Sequence, residues 1–375
     1  MRIAYIVTRA DAVGGATIHV MEMARAMLER GHEAAIFTGG HGEAADKLAE
    51  SGAPVHSLGL LRRAVNPWRD LRALVELQAA LRDYAPNLVS AHTAKAGWLG
   101  RMACKRLGIP VIYTPHGLPV GGRMGGAKGA VFGAAERIAG PWARTIVCVS
   151  EAERRLAMER KLANAERLVV VHNGVRAIPA RLRSDPAASP PRIISVARFE
   201  APKDHPTLLS AVATLTGHPW ELDLVGGGPA EQASRSLAVR LGIGERVRFL
   251  GYQADPAAAL AHAQVFVLSS RSEAFPRTVL EAMRAGLAIV AANVGGVAEA
   301  IEDGRNGLIV PPADADSLAQ ALTRLITDAG LRTRLGQAAR ETFEARFRVE
   351  TMVEKTIEVY AAALRRGPMP DRTEP

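Results

Sequence analysis

The sequence predicts an α/β protein with two doubly wound, Rossmann-like domains. Short β-branched segments alternate with segments of helical period along the chain, a pattern typical of parallel sheets covered by helices on both faces. A segment rich in Pro, Ser and Ala at residues 179–191 interrupts the alternation, which then resumes. The length of 375 residues is too great for one ordinary core and suits two. Because ligands bind at the carboxyl ends of such strands, we expect the two domains to face each other across a cleft.

The first half contains seven predicted strands. They span residues 2–8, 33–38, 54–58, 87–92, 110–113, 145–149 and 168–172. Amphipathic stretches between them predict helices, among them 17–30, 68–83 and 94–107. We therefore assign residues 1–178 to an N-terminal domain.

The second half contains six predicted strands and closes with two long helices. The strands span residues 192–196, 221–225, 247–250, 264–268, 288–291 and 307–310, and the helices span 331–347 and 349–365. We therefore expect a linker at 179–191, a C-terminal domain at 192–347 and a final helix at 348–366. The composition of residues 367–375 predicts a disordered tail.

Composition excludes several classes of protein. The two cysteines, Cys104 and Cys148, lack metal-ligand spacing and argue against a disulfide framework. No segment approaches the roughly 20 apolar residues needed to cross a bilayer. The apolar run at residues 2–8 is too short for a signal peptide. We therefore expect a cytoplasmic protein.

The net charge of +9 lies in the first half of the chain. Residues 1–180 contain 24 Lys and Arg against 15 Asp and Glu, whereas residues 181–375 contain 23 of each. Residues 84–150 alone contain eight basic groups and one acidic group. A local basic field attracts anionic headgroups, nucleic acid or phosphorylated substrates, although arginines spread over solvated faces would give the same count. Few aromatic residues and no recognised motif argue against nucleic acid.

Two glutamates eight residues apart are the most distinctive candidates for a site. Glu273 and Glu281 lie in SEAFPRTVLEAMRAG, where Pro276 suits the first helical position and Gly286 the stop. The helix N-terminus would offer N–H groups to a diphosphate, and Glu281 in its second turn could accept hydrogen bonds from a ribose. Two surface glutamates near a helix start would give the same pattern.

Two cations and a glycine turn follow neighbouring predicted strands. Arg198 and Lys203 come after strand 192–196 and could clamp a pyrophosphate, or be solvated loop cations. The turn Gly226-Gly227-Gly228 follows strand 221–225 and could admit a ligand or simply make a tight turn.

The first half offers its own strand-to-helix candidates. Gly14-Gly15 precedes the first helix, and His116 follows the strand at 110–113. Each could serve a ligand or a purely structural role.

A further group of polar residues lies at the end of the strand at 87–92 and in the predicted helix that follows it. His92, Lys95 and Arg101 could grip an anionic acceptor or be ordinary surface charge. Asp314 and Asp316 match a D-x-D metal signature, but their place at a helix start favours an N-cap role for this pair.

In order and spacing, these motifs resemble glycosyltransferase family 4, retaining enzymes of the GT-B fold, along nearly the whole chain. The second half carries the resemblance in SVARFEAPKDHPTLLSAV, LVGGGP, VRFLGY, SEAFPRTVLEAM and NGLIVPPADADSLAQAL. The first half adds the Gly-Gly loop, HTAKAGWLGR, YTPHG and VVVHNGV. HTAKAG and YTPHG are similar to a subgroup common in bacterial exopolysaccharide, capsule and O-antigen assembly.

The resemblance implies a nucleotide-diphosphate sugar donor, with UDP or GDP, bound by the C-terminal domain. Arg198 and Lys203 would hold the diphosphate, Glu281 the ribose and Glu273 the sugar. His116 would line the reaction centre from the N-terminal domain and complete the catalytic set. The remaining donor contacts would come from Gly226, Gly228, Ala274, Phe275 and Pro276. Arg277 stands where asparagine or a small residue often follows the proline, so the resemblance does not specify which sugar the donor carries.

The resemblance also implies the acceptor side and the chemistry. The N-terminal domain would bind a glycan or polyprenyl-diphosphate-linked acceptor, with Gly14, Gly15, His92, Lys95 and Arg101 as the contacts. Retention would need no protein nucleophile, because the acceptor hydroxyl attacks from the face that the diphosphate leaves. No metal or other cofactor is implied, and the final helix would pack back on the first domain.

The charge map adds an anionic membrane as a partner. A glycine-rich stretch at 121–133 carries Arg123, Lys128, Met124, Val131 and Phe132. We therefore expect peripheral attachment at the inner face of the cytoplasmic membrane.

Two alternatives remain at this point. A non-hydrolysing UDP-sugar 2-epimerase would share the fold and the nucleotide site but would need its own acid–base groups. A non-catalytic nucleotide-sugar sensor would share the pocket, although every motif position is filled.

Overall fold

The structure, a computed structural model, describes residues 1–118 and 126–365, with the backbone alone at 126–128. Residues 119–125, which include the start of the predicted basic loop at 121–133, lie outside this range, as does the predicted tail. The chain forms two compact units, one of Met1–Asn173 with the residues from Met352 onward, and one of Gly174–Thr351. The sequence predicted that the first domain ends at residue 178, five residues after the end of this segment at Asn173. The reason is that Val175 exchanges backbone hydrogen bonds with Phe347 and Val349 of the second unit.

The first unit is built on a seven-stranded parallel sheet of order β3-β2-β1-β4-β5-β6-β7. Its strands are β1 (Arg2–Val7), β2 (Glu33–Thr38), β3 (Val55–Ser57), β4 (Leu88–His92), β5 (Val111–Thr114), β6 (Thr145–Cys148) and β7 (Leu168–Val170). Its helices are α1 (Gly15–Glu29), α2 (Glu43–Ala49), α3 (Pro67–Tyr84), α4 (Ala94–Leu107), α5 (Gly126–Ala139) and α6 (Glu151–Glu159).

The second unit is built on a six-stranded parallel sheet of order β10-β9-β8-β11-β12-β13. Its strands are β8 (Arg192–Val196), β9 (Glu221–Val225), β10 (Val247–Gly251), β11 (Val265–Leu268), β12 (Ala288–Ala292) and β13 (Leu308–Val310). Its helices are α7 (His205–Ala213), α8 (Glu231–Arg240), α9 (Ala257–Ala261), α10 (Arg277–Ala285), α11 (Val297–Ala300), α12 (Ala315–Thr327) and α13 (Ala329–Arg346).

Central strands in both sheets are apolar on both faces. Residues 3–6 of β1 and 265–267 of β11 are fully buried, because helices cover each sheet from two sides. The predicted class, two doubly wound α/β domains, is therefore confirmed. Within the described residues every predicted strand is present, with its ends shifted by two residues at most.

The last helix, α14 (Val349–Arg365), crosses the division between the units. Its later part belongs to the first unit, where the buried Tyr360 hydroxyl donates to Ser90 Oγ at 3.0 Å. None of the described helices is long and apolar enough to cross a membrane.

Candidate functional site

In each sheet the strand order reverses at one point, which lies between β8 and β11 in the second unit. At such a reversal the loops leaving the two strands diverge to opposite faces and open a crevice for a ligand. The loops at this crevice are residues 197–204, after β8, and residues 269–276, after β11. These loops carry Arg198, Lys203 and Glu273, so sequence-predicted residues from 70 positions apart meet here.

Two ion pairs join the loops. Lys203 Nζ lies 2.6 Å from Glu273 Oε1, and Arg271 Nε lies 2.7 Å from Asp204 Oδ2. Ser270 Oγ donates to the same Glu273 oxygen at 2.7 Å. Because the carboxylate of Glu273 is almost fully buried while Lys203 stays partly exposed, Lys203 presents a cation at the surface of the crevice.

Helix α10 begins beside this pair. Pro276 is its N-cap, so the helix begins at Arg277, one residue later than predicted, and Gly286 ends it in the left-handed region with φ of 82°. Proline has no side chain that can cap the helix, and no side chain caps the first turn of α10. Glu281 lies in the second turn, where burial raises the pKa of its carboxyl group, and Arg277 and Arg284 lower it in part.

The remaining predicted donor contacts are built into the backbone. Gly226 has φ of 146°, and a Cβ there would clash with the Ala197 carbonyl oxygen; at Gly228 a Cβ would meet Phe199. Both glycines let the turn after β9 pack against the loop that carries Arg198. Arg198 itself is exposed and lies 3.0 Å from Glu200.

The segment 274–276 is held by a loop that the sequence reasoning missed. Gly295, after β12, has φ of 55°, and a Cβ there would clash with the Glu273 carbonyl oxygen. Gly296 N–H donates to the Ala274 carbonyl at 2.9 Å. The buried ring of Phe275 packs 5.6 Å from that of Phe347, so it contributes support rather than a polar contact. The Gly-Gly pair after a strand was the available signal.

The first unit has its reversal between β1 and β4. Gly14 is the extended N-cap of α1, and Gly15 is its first residue. Thr8, after β1, lies 3.0 Å from Thr93 Oγ1 and accepts from Ala96 N–H at 2.9 Å. The turns that follow β1 and β4 are therefore fixed to each other.

Three histidines meet at this edge, although only two were predicted as site residues. His92 Nδ1 lies 3.0 Å from His116 Nε2, and His19 from α1 packs against both rings. His19 lies inside the helix predicted at 17–30 and was not singled out from the sequence, because its neighbours along the chain do not show which rings it packs against. In the part of the chain that the structure describes, these rings form the one group able to hold a metal ion.

The histidines are ordered by a chain of hydrogen bonds. Tyr360 donates to Ser90, whose Oγ lies 2.9 Å from His92 Nε2. Burial holds the pKa of His92 well below 6.5, and His19 lowers it further. If a neutral His92 accepts at Nε2, its Nδ1 donates to His116, and His116 then carries its own proton on the other ring nitrogen.

The structure buries Arg101 in the core of the first unit, whereas the sequence prediction placed it in contact with an acceptor. Its guanidinium is fully buried, lies 2.9 Å from Glu136 and stacks 4.0 Å above the Tyr113 ring. An ion pair enclosed in the core has no path to a ligand.

Lys95 also has protein partners. Its Nζ lies 2.6 Å from Asp70 Oδ1 and donates to the Ala64 carbonyl at 2.5 Å. The structure thus ties Lys95 to α3.

The predicted basic surface at 84–150 is weaker than its composition suggested. Arg101 and Arg144 are buried and Lys95 is nearly so, which removes three of the eight cations from the surface. Of this set, Lys105, Arg106 and Arg137 are exposed, and Arg123 and Lys128 lie where no side chain is described.

The D-x-D segment caps a helix, as predicted. Asp314 accepts from Ser317 N–H at 2.9 Å and from its hydroxyl at 2.6 Å, and these bonds lower the pKa of Asp314.

Comparison with known proteins shows the family. The family model described as glycosyl transferases group 1 matches residues 181–342, and the one described as glycosyl transferase 4-like domain matches residues 14–174. A D-inositol 3-phosphate glycosyltransferase of Streptomyces scabiei is 30% identical over 94% of this chain and 87% of its own. The lipopolysaccharide core biosynthesis glycosyltransferase LpsE of Rhizobium meliloti is 35% identical, but the match spans only 48% of this chain and 53% of that protein.

Solved structures agree in fold. The Anabaena protein Alr3699/HepE, in complex with UDP-glucose, has a TM-score of 0.82 and 23% identity, covering 96% of this chain and all of that one. A sucrose-phosphate synthase from Thermosynechococcus elongatus has a TM-score of 0.83 at 23% identity, covering 98% of this chain. The chain therefore belongs to the group 1, 4-like glycosyltransferases and is an enzyme of the GT-B fold.

Proposed function

We propose that this glycosyltransferase moves a sugar from a nucleotide-diphosphate donor, carrying UDP or GDP, to a hydroxyl of a glycan or lipid-linked acceptor, with retention at the anomeric carbon. The reaction would serve cell-surface polysaccharide assembly. The observation that carries the proposal is the contact of Lys203 with Glu273 at the strand reversal of the second unit, beside the start of α10.

This arrangement suits a diphosphate. Lys203 and Arg198 would neutralise the charge that develops on the leaving group, and the first-turn N–H groups of α10 would bind its oxygens. Pre-organised charge of this kind replaces a metal ion, so we propose that none is required.

The two glutamates would each bind one of the remaining parts of the donor. Glu281, one turn into α10, would accept hydrogen bonds from the ribose, while Glu273 would contact the sugar. The ion pair with Lys203 holds the Glu273 side chain in place before the donor binds.

His116 is our proposed reaction-centre residue of the first unit. The hydrogen-bond chain from Tyr360 through Ser90 and His92 holds its ring in place, and we propose that its protonated ring nitrogen donates to a substrate oxygen. Such a donor would suit a hydroxyl of the sugar or of the acceptor. The acceptor hydroxyl would transfer its proton to a phosphate oxygen of the leaving group.

Relatives support the donor and the pathway. HepE is a protein of the same fold seen with UDP and UDP-glucose, and LpsE acts in lipopolysaccharide core biosynthesis. Both are consistent with a nucleotide-sugar donor and a surface glycan.

The test is a screen of UDP-, GDP- and ADP-sugars with and without acceptor extracts, measuring release of nucleoside diphosphate. Release that depends on acceptor supports transfer. Interconversion of the donor to its 2-epimer would support the epimerase instead, and tight nucleotide binding without turnover would support a sensor.

A further inference from the structure

We propose that the outward face of α3, with the residues just before it, docks on an anionic membrane surface. The inference rests on the proposed function in one respect, because docking is useful to an enzyme whose acceptor is lipid-linked. The surface differs from the glycine-rich loop at 121–133 that the charge map indicated.

An apolar stripe runs along this face. Val65, Trp68, Leu71 and Val75 are 74%, 80%, 51% and 58% exposed. Trp68, Leu71 and Val75 are spaced by three and four residues, which places them on one side of the helix, and Val65 comes just before its N-cap Asn66. The opposite side is formed by Ala73, Leu74, Leu77 and Leu81, which are buried in the core of the first unit. Helix α3 is therefore apolar on two faces, and only one of these faces packs into the core of the first unit.

Arginines flank the stripe. Arg62, Arg63, Arg69 and Arg72 are exposed, whereas the acidic Asp70 is paired with Lys95. Exposed apolar side chains, a tryptophan among them, bordered by cations are typical of helices that lie in the headgroup region. The apolar residues enter the interface and the arginines meet anionic headgroups.

Charge also disfavours a second copy of the chain as the occupant. In a twofold pairing the same patch meets itself, so the four arginines would face four others across the interface. A surface of opposite charge avoids this repulsion.

Lys95 connects the stripe to the candidate acceptor edge. It follows β4 by three residues and holds Asp70 and the Ala64 carbonyl, on either side of Trp68. The same turn carries His92, which contacts His116. The start of α3 is thus fixed beside the carboxyl edge of the first sheet, where a sugar just above the headgroups could enter.

The experiment measures sedimentation with vesicles of phosphatidylglycerol and phosphatidylcholine at low salt. We expect clear binding to the anionic vesicles, weak binding to the neutral ones, and loss as salt is raised. The variants Trp68→Ser/Leu71→Ser and Arg69→Gln/Arg72→Gln should each lower partitioning by about tenfold or more. The matched control is Val239→Ser/Arg240→Gln, an exposed valine and arginine on α8 of the second unit, which should bind as the wild type does.

A second readout does not depend on these substitutions. Lipids brominated on the acyl chains should quench Trp68, and Trp68→Phe should keep docking while losing most of the quenching. Thermal melting confirms that the variants fold.

The outcomes separate the proposals. Equal binding of wild type and Trp68→Ser/Leu71→Ser to anionic vesicles, or no wild-type binding at low salt, overturns the docking face. A dimer in light scattering that Trp68→Ser/Leu71→Ser abolishes, without vesicle binding, assigns the face to a second copy. Calorimetry with UDP and GDP on the same samples tests the proposed function independently, since α3 lies outside the second unit.

Discussion

Lys203 Nζ lies 2.6 Å from Glu273 Oε1, and the two residues come from loops that leave neighbouring strands on either side of the sheet reversal. The contact sets a cation and a carboxylate side by side, close in sequence to the start of α10, which no side chain caps. An incoming diphosphate would share Lys203 and leave Glu273 facing the sugar.

Removing either of the two cations that we propose bind the donor diphosphate should strongly reduce turnover. We expect Arg198→Ala and Lys203→Ala each to lower kcat/KM by about 10²-fold or more, because pre-organised charge on a leaving group is worth several kcal/mol. The matched control is Arg305→Ala, an exposed arginine of the same unit paired with Glu302, which should leave kcat/KM unchanged. Turnover near the wild-type rate in both cation variants would remove Arg198 and Lys203 from the site.

The two glutamates should separate in binding and chemistry. Glu281→Gln should mainly weaken affinity for the free nucleoside diphosphate in calorimetry, whereas Glu273→Gln should spare that affinity and damage transfer. The opposite pattern would exchange their roles.

Nucleotide affinity should also report the ionisation of Glu281. Burial raises its pKa, so the carboxylate that accepts from the ribose is lost on acidification sooner than an ordinary glutamate of pKa about 4.3. Affinity should therefore fall as pH decreases through that raised pKa, and Glu281→Gln should flatten this part of the profile. An unchanged acid limb in Glu281→Gln would contradict the assignment.

Arg101 should matter to stability rather than to the acceptor. Arg101→Met leaves Glu136 buried without its charge partner, which we expect to cost about 3–5 kcal/mol in denaturant unfolding. The double variant Arg101→Met/Glu136→Gln should recover part of the loss. A change in acceptor KM with unaltered stability would restore the original acceptor role.

Activity should survive EDTA. The diphosphate already has two cations, and Asp314 is engaged by Ser317. If EDTA abolishes turnover and a divalent metal restores it, the histidine group of His19, His92 and His116 becomes the first place to look.

Much of this account could be predicted from the sequence because the fold depends on local patterns. Neighbouring residues alone predict the strands that are buried on both faces and the helices with 3.6-residue periodicity. They also predict helix ends such as the one at Gly286. Parallel sheets then bring their strand-to-helix loops to one edge, so Lys203 and Glu273 could be expected to lie close.

The errors concern contacts between distant residues. Nothing near Arg101 in the sequence shows that Glu136, 35 positions away, encloses it with Tyr113. The sequence around Lys95 likewise does not show that Asp70 of α3 pairs with it. A count of charges along the chain cannot tell a buried ion pair from a solvated cation, and the apolar side of α3 could not be assigned to core or surface before its neighbours were known.

Retention and the use of a nucleotide-sugar donor are tested together by proton NMR of the product anomer formed from the donor sugar that the screen selects. Wild-type enzyme should give a new glycoside with the anomeric configuration of the donor, accompanied by stoichiometric nucleoside diphosphate, and Lys203→Ala should give almost none. A product of inverted configuration, or turnover of no nucleotide sugar by well-folded enzyme, would contradict the account.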